Sequence, residues 1–379
     1  MNQMFPIGFE GPLAFYLVVY VLTLVVHVFL MAYVLAGSLW LAWVTVFPKA
    51  TAGSIHGEIP RTKHPAARIL RDWLPFALSG AITAGVAPLL FIQILYQQQF
   101  YTANVLLGWR WMVVIPVLVM AFYLLYIMKS KIISQWSLGI RIGLSICVAG
   151  SFLFVAFCWT TNHLLSLNAS QWPVAYETGD AVQSLPALSL RLATWITGTF
   201  PAMGVLMSWQ LRGMKSRTDS WRDVASDVNW LTLIEDEDRR IAWVSLAAMI
   251  ASLILAFCYF LTLPEEVRSN LTGTAGILWI AVLLSSSGVM ITGLIRQRRS
   301  HTGSKSWLIA VTGALFVQLT AAASLREIIR LTQADLSAVV QSTKAAAEIG
   351  GLVMFLVFTV LNAGLIAFCL WLVRRKQAP

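Results

Sequence analysis

The chain has 379 residues, of which 58% are hydrophobic and only 12% are charged, and its formal net charge is +10. A typical soluble chain carries about 25% charged residues, and no water-soluble fold of this length could cover so much apolar surface. The composition therefore excludes a soluble protein and predicts an all-α, polytopic integral membrane bundle.

Nine stretches of the length that spans a bilayer, about 20 apolar residues, are present. They cover 13–46, 74–96, 109–128, 138–165, 188–209, 241–263, 273–295, 306–323 and 349–373. The first stretch is too long for one perpendicular crossing, so we expect a tilted helix or a helical extension into water. With no low-complexity linker and no clear internal repeat, residues 1–379 are expected to form a single transmembrane domain.

The distribution of Lys and Arg predicts the orientation. The segments that follow the first, third, fifth, seventh and ninth stretches hold most of these residues. By the positive-inside rule the N-terminus is outside and the C-terminus is cytoplasmic, in agreement with an odd number of spans. We expect a bacterial inner membrane protein. Because most Lys and Arg residues lie in the predicted cytoplasmic segments, the positive net charge does not indicate binding of nucleic acid.

The first stretch carries His27, midway along the apolar sequence from Leu13 to Phe47. An ionisable side chain at that depth in a bilayer is costly and marks a candidate site. A neutral imidazole is a good axial ligand of haem iron in an apolar pocket. His27 is therefore a candidate haem or metal ligand. A proton relay and a hydrogen-bonded contact between helices are the alternatives.

The fourth stretch ends in TTNHLLSLN, which contains His163 near the predicted outer surface. Hydrogen bonding at the interface and contact with a cofactor are both open for this residue. A covalent c-type haem is excluded, because none of the four cysteines lies in a CxxC or CxxCH motif.

The centres of the nine stretches contain no Asp, Glu, Lys or Arg, which weakens the case for a transporter of charged solutes. Three amides, Gln93, Gln318 and Asn362, do lie within the stretches. They could form hydrogen bonds between helices or line a path for a neutral solute. A channel or permease without a cofactor is therefore one alternative function.

The longest inner segment, 210–240, has Trp221, Val224, Val228 and Leu231 at helical spacing. This pattern predicts an amphipathic helix on the inner leaflet. The mixed charges of 235–240 are interpreted as a solvated connection. In the preceding inner segment, His56 and His64 flank Glu58 as a weak candidate metal cluster.

The sequence SLREIIR in the predicted outer part contains Arg326, Glu327 and Arg330. In a helix the two arginines lie four residues apart on one face, where they could clamp a carboxylate or a haem propionate. The alternative is a solvated helix end, paired with Glu327 or with a lipid phosphate.

Several of these stretches resemble subunit I of the cytochrome bd-type quinol oxidases. The resemblance rests on LVVHVFLMAYVLAG, GVAPLLFIQILYQQQFYTANVLLG and TTNHLLSLNASQWP, together with nine spans and an outer N-terminus. It implies a membrane subunit of a respiratory electron-transfer complex, with His27 as a b-type haem ligand. The partners it implies are other subunits of a membrane redox complex or soluble cytochromes on the outer face, besides membrane lipid.

The chain departs from that family at three points. A leucine stands where the family has a carboxylate in its second span, and the fifth stretch, SLRLATWITG, offers Arg191, Thr194 and Trp195 in place of a histidine. Residues 264–272 are only a short turn where the family has a long quinol loop. A reduced or absent haem set is therefore expected, and a complete quinol oxidase is not. A redox-inert scaffold subunit is the remaining alternative.

Overall fold

The computed structural model describes residues 11–47, 64–179, 185–218, 230–299 and 305–376. These residues are almost entirely helical, and no β-strand occurs among them. The helices are α1 Gly11–Val46, α2 Pro65–Leu95, α3 Gln97–Leu107, α4 Trp109–Met112, α5 Val114–Lys129, α6 Leu138–Leu167, α7 Trp172–Thr178, α8 Leu185–Thr218, α9 Trp230–Thr262, α10 Glu265–Leu271, α11 Thr274–Arg299, α12 Lys305–Gln333, α13 Leu336–Glu348 and α14 Gly351–Lys376.

Among the described residues, seven segments are long and apolar enough to cross a membrane, and the bent pair of α13 and α14 makes up to eight. The prediction of an all-α, polytopic membrane bundle is confirmed. The count of nine spans and the orientation stay predictions. Helix α8 overlaps the predicted fifth span and is 34 residues long. It is not among the seven, because Arg191, Pro201 and several threonines lower its mean hydropathy.

Helix α1 lies at the centre of the bundle and packs against α2, α6, α8, α12 and α13. Its 36 residues extend for about 54 Å at 1.5 Å per residue, whereas the hydrocarbon core of a bilayer is about 30 Å thick. Helix α1 is therefore longer than one perpendicular crossing requires, as expected. It places α1 in contact with helix ends on both sides of the bundle.

Helix α13 marks one end of the bundle. At this end, which we call the α13 end, α1 and α8 begin and α2, α6, α9 and α12 end. Its core includes Tyr16, Tyr20, Tyr96 and Leu164, and Val339 of α13 packs against them. Helix α13 thus covers this core.

Asp335 caps the N-terminus of α13, because its carboxylate accepts hydrogen bonds from the backbone N–H groups of Ser337 and Ala338. The Ser337 hydroxyl also donates to it, and these bonds lower the pKa of Asp335 below its ordinary value.

The predicted amphipathic helix over 210–240 is described only at its two ends. Helix α8 continues to Thr218 and α9 begins at Trp230, so Leu231 belongs to the same helix as the sixth predicted span. Trp221, Val224 and Val228 lie outside the described residues.

The prediction that charges 235–240 form a solvated connection is wrong for Glu237 and Asp238. Glu237 is only 6% exposed and lies 3.6 Å from Nδ1 of His64. Asp238 accepts hydrogen bonds from Ser208 at 3.1 Å and from Gln297 at 2.8 Å. The reason is that α9 packs against both α8 and α11, so one face of its charged first turns is covered.

The candidate metal cluster of the preceding inner segment cannot be assembled from the described residues, since His56 and Glu58 lie outside them. Its third member, His64, contacts Glu237 instead. Within the described ranges, no group of three or more His, Cys, Asp or Glu side chains is arranged to hold a metal ion.

Candidate functional site

His27 is held between α1 and α2. Its Nδ1 lies 2.9 Å from the carbonyl oxygen of Ala81. A backbone carbonyl can only accept a hydrogen bond, so Nδ1 carries the proton and Nε2 keeps its lone pair. Among the described residues Nε2 has no hydrogen-bond partner. The imidazole therefore has the tautomer that a metal or haem iron requires.

Gly85 allows the two helices to approach closely at this histidine. A Cβ atom at Gly85 would lie 2.9 Å from both Nδ1 and Cε1 of His27, closer than carbon atoms pack without displacement. The ring thus rests on the bare backbone of α2, one turn beyond the carbonyl that it contacts. The hydrogen bond and the glycine together fix its orientation.

His163 lies near the end of α6 and is 4% exposed. Its Nδ1 is 2.6 Å from Nη2 of Arg330. A guanidinium can only donate, so Nδ1 is the acceptor and the neutral ring carries its proton on Nε2. This Nε2–H is buried and has no partner. His163 does form a hydrogen bond, one of its two expected roles, but inside the bundle. In this tautomer it offers a donor and no lone pair for a metal.

Arg330 and Glu327 form the centre of a buried polar network. Nη1 of Arg330 lies 3.4 Å from Glu327 Oε1, and the hydroxyl of Tyr96 donates to Oε2 of Glu327 at 2.9 Å. Glu327 is 0% and Arg330 is 4% exposed. The pairing with Glu327 that one alternative predicted is therefore present. A solvated helix end is wrong for these two residues, because α1, α6 and the residues that follow α2 cover this part of α12.

Arg326 and Arg330 converge on α1, as their spacing on one helix face predicts. Their Nη1 atoms donate to the hydroxyl of Tyr20, at 3.0 Å and 3.3 Å respectively. Arg326 also lies 3.6 Å from Glu327, and its Nε is buried without a partner. That they clamp a carboxylate or a haem propionate stays a prediction.

Arg191 of α8 belongs to the same group, although the sequence reasoning did not select it. It is 7% exposed, and its guanidinium lies over the ring of Tyr259 at 5.0 Å. Arg191 interacts electrostatically with His163, as do Arg326 and Arg330. The signal that could have found it is an arginine inside a predicted span, on the side where basic residues are sparse.

We call this group the arginine cluster. Its charged and ionisable members are Arg191, Arg326, Arg330, Glu327 and His163, and its aromatic members are Tyr20, Tyr96 and Tyr259. Six parts of the chain contribute to it, since the residues come from α1, the junction of α2 and α3, α6, α8, α9 and α12.

The three amides predicted within the spans are not joined to one another by hydrogen bonds in the described structure. Gln318 donates to the hydroxyl of Ser287 at 2.9 Å and links α12 to α11. Asn362 donates to the carbonyl of Phe358 within its own helix. Gln93 lies on α2 and is partly buried. Gln318 thus has the structural role that was expected of these amides.

No protein-family model matches the chain, and no curated protein matches it.

Proposed function

We propose that this chain is the integral membrane subunit of a respiratory electron-transfer complex in a bacterial inner membrane, with its N-terminus outside. In this proposal His27 is the ligand of a b-type haem and the chain is one subunit of an oxidoreductase. The observation that carries the proposal is the 2.9 Å contact between Nδ1 of His27 and the Ala81 carbonyl. In metal sites, a hydrogen bond from the non-coordinating ring nitrogen to a carbonyl orients the histidine ligand and raises its basicity.

The surroundings of His27 fit an apolar, water-poor haem environment. Leu24 and Leu30 of α1, three residues before and after His27, lie on its side of the helix and are apolar. A bound b-type haem would supply one-electron transfer. The chain would contribute the Nε2 lone pair of His27, the carbonyl of Ala81 that fixes the tautomer, and an apolar face that excludes water. The resemblance to subunit I of cytochrome bd-type oxidases supports the same residue.

The absorption spectrum of the protein, purified after haem-replete expression, tests this proposal. We expect a Soret band that shifts on reduction and is lost in His27→Ala. His163→Gln is expected to keep the band, because Nε2 of His163 already carries a proton. A wild-type protein without a Soret band would reject the haem and favour a cofactor-free channel or a redox-inert scaffold.

Two glycines of α2 provide a matched pair for the same measurement. Gly85→Ala places a methyl group against the His27 ring, whereas the Cβ of Gly80→Ala would meet only Leu30 Cδ1, at an ordinary 3.4 Å. We expect reduced haem content in Gly85→Ala and wild-type content in Gly80→Ala. Equal haem content in both variants would contradict the role of Gly85.

A further inference from the structure

The arginine cluster contains more positive than negative charge. Arg326 and Arg330 face Glu327, the one carboxylate of the cluster among the described residues, and Arg191 interacts electrostatically with both of these arginines. His163 adds no charge, because its Nδ1 accepts a hydrogen bond from Arg330. The cluster therefore carries two positive charges in excess. Charges inside a membrane bundle are normally paired, since an unpaired buried charge is costly.

The unsatisfied atoms of the cluster are all hydrogen-bond donors. Nε2–H of His163 and Nε–H of Arg326 are both buried without a partner. Arg191, which interacts electrostatically with the His163 ring, forms a hydrogen bond with Tyr259, and its guanidinium offers only further donors. Burying a polar group without a partner is costly, so unpaired donors beside excess positive charge favour an anionic acceptor at this site.

We propose that the arginine cluster binds the carboxylate or phosphate group of a ligand at the α13 end of the bundle. Guanidinium groups suit both oxyanions, because their N–H groups form charge-assisted and often bidentate hydrogen bonds with them. The apolar and aromatic core around the cluster, with Tyr16, Tyr20 and Leu164, suits a ligand with an apolar tail. An amphiphile from the membrane and a free solute anion are the two sources of this group.

The proposed site is separate from the proposed haem ligand. Its member on α1, Tyr20, lies seven residues from His27, which is about 10 Å along the helix axis. It draws on α6, α8 and α12, whereas His27 contacts α2. Binding is therefore expected to persist in His27→Ala, and failure of one proposal leaves the other standing.

Thermal unfolding of the full chain in a neutral detergent tests the proposal, because a ligand that binds the folded state raises Tm in a saturable way. The probes are dodecanoate, dodecyl phosphate, acetate and inorganic phosphate, with dodecanol as the uncharged control. We expect at least one anion to raise Tm in wild type and in His27→Ala, and dodecanol to leave it unchanged. A rise with only the tailed anions assigns an amphiphile, and a rise with the tailless anions assigns a free solute.

Substitutions locate the effect. Arg191→Gln is expected to weaken anion binding by about tenfold or more, because a hydrogen bond to a charged group contributes about 1.5–3 kcal/mol. Arg110→Gln, which removes the same charge from α4 outside the cluster, is expected to bind as wild type does. Unchanged affinity in Arg191→Gln would overturn the proposal. If Arg191→Gln does not fold, the measurements on the wild-type protein test the proposal. No rise in Tm with any anion, or an equal rise with dodecanol, overturns it.

Discussion

His27 and His163 have the same side chain but present opposite groups to a ligand. In His27, the Nδ1–H group donates a hydrogen bond to a backbone carbonyl, which leaves a lone pair on Nε2. A guanidinium donates to Nδ1 in His163, which leaves a proton on Nε2. The sequence selects both residues as candidates. It does not reveal their partners, Ala81 and Arg330, which are 54 and 167 residues away along the chain.

At the same scale, Glu327 is expected to be essential for the stability of the α13 end. Glu327→Gln keeps the shape of the side chain but removes the carboxylate that faces Arg326, Arg330 and Tyr96. Removing one partner of a buried ion pair costs about 3–5 kcal/mol. We expect a loss of this size in the free energy of unfolding, measured by denaturant titration in mixed micelles.

The matched control is Glu177→Gln on α7, because Glu177 is an exposed carboxylate at the same end. Its effect is expected to stay within about 0.5 kcal/mol, as for most surface substitutions. Equal effects of the two substitutions would show that Glu327 does not compensate the arginines.

At the scale of elements, apolar stretches predict where helices are but not where they end. The fourth predicted span, 138–165, nearly coincides with α6. Helix α12 continues beyond residue 323 to Gln333, and α9 begins at Trp230 instead of 241. In both cases the extra turns contain charged residues, which form helices readily but lower mean hydropathy. The arginine cluster lies in part in such a turn, which is why hydropathy alone does not place it inside the bundle.

The contact between α11 and α12 provides a test at this scale. Gln318 of α12 donates to the hydroxyl of Ser287 on α11 at 2.9 Å. Hydrogen bonds between membrane helices contribute about 0.6 kcal/mol on average. A double-mutant cycle with Ser287→Ala and Gln318→Leu, measured by unfolding in mixed micelles, is expected to give a coupling free energy of about that size. Strictly additive effects would mean that the two side chains do not stabilise each other.

At the scale of the whole molecule, one orientation follows from the positions of Lys and Arg. Glu177 lies on α7 at the α13 end, and Lys129 ends α5 at the opposite end, and both are exposed. A membrane-impermeant maleimide applied to intact cells is expected to label Glu177→Cys and to spare Lys129→Cys until the membrane is permeabilised. Labelling of the wild type, which includes the exposed Cys147, gives the background. The reverse pattern would invert the predicted topology.

The sequence by itself determined that this protein is an all-α, multi-pass membrane protein, because apolar stretches of bilayer length admit no other fold for their backbone. It also indicated His27 and His163 singly, and Arg326 and Arg330 as a pair on one helix face. Only the tertiary structure decided that the last three, with Arg191 and Glu327, form one buried group and that His27 stands apart from it. Hydropathy is a property of each segment alone, whereas the assembly of the cluster depends on which helices pack together around α1.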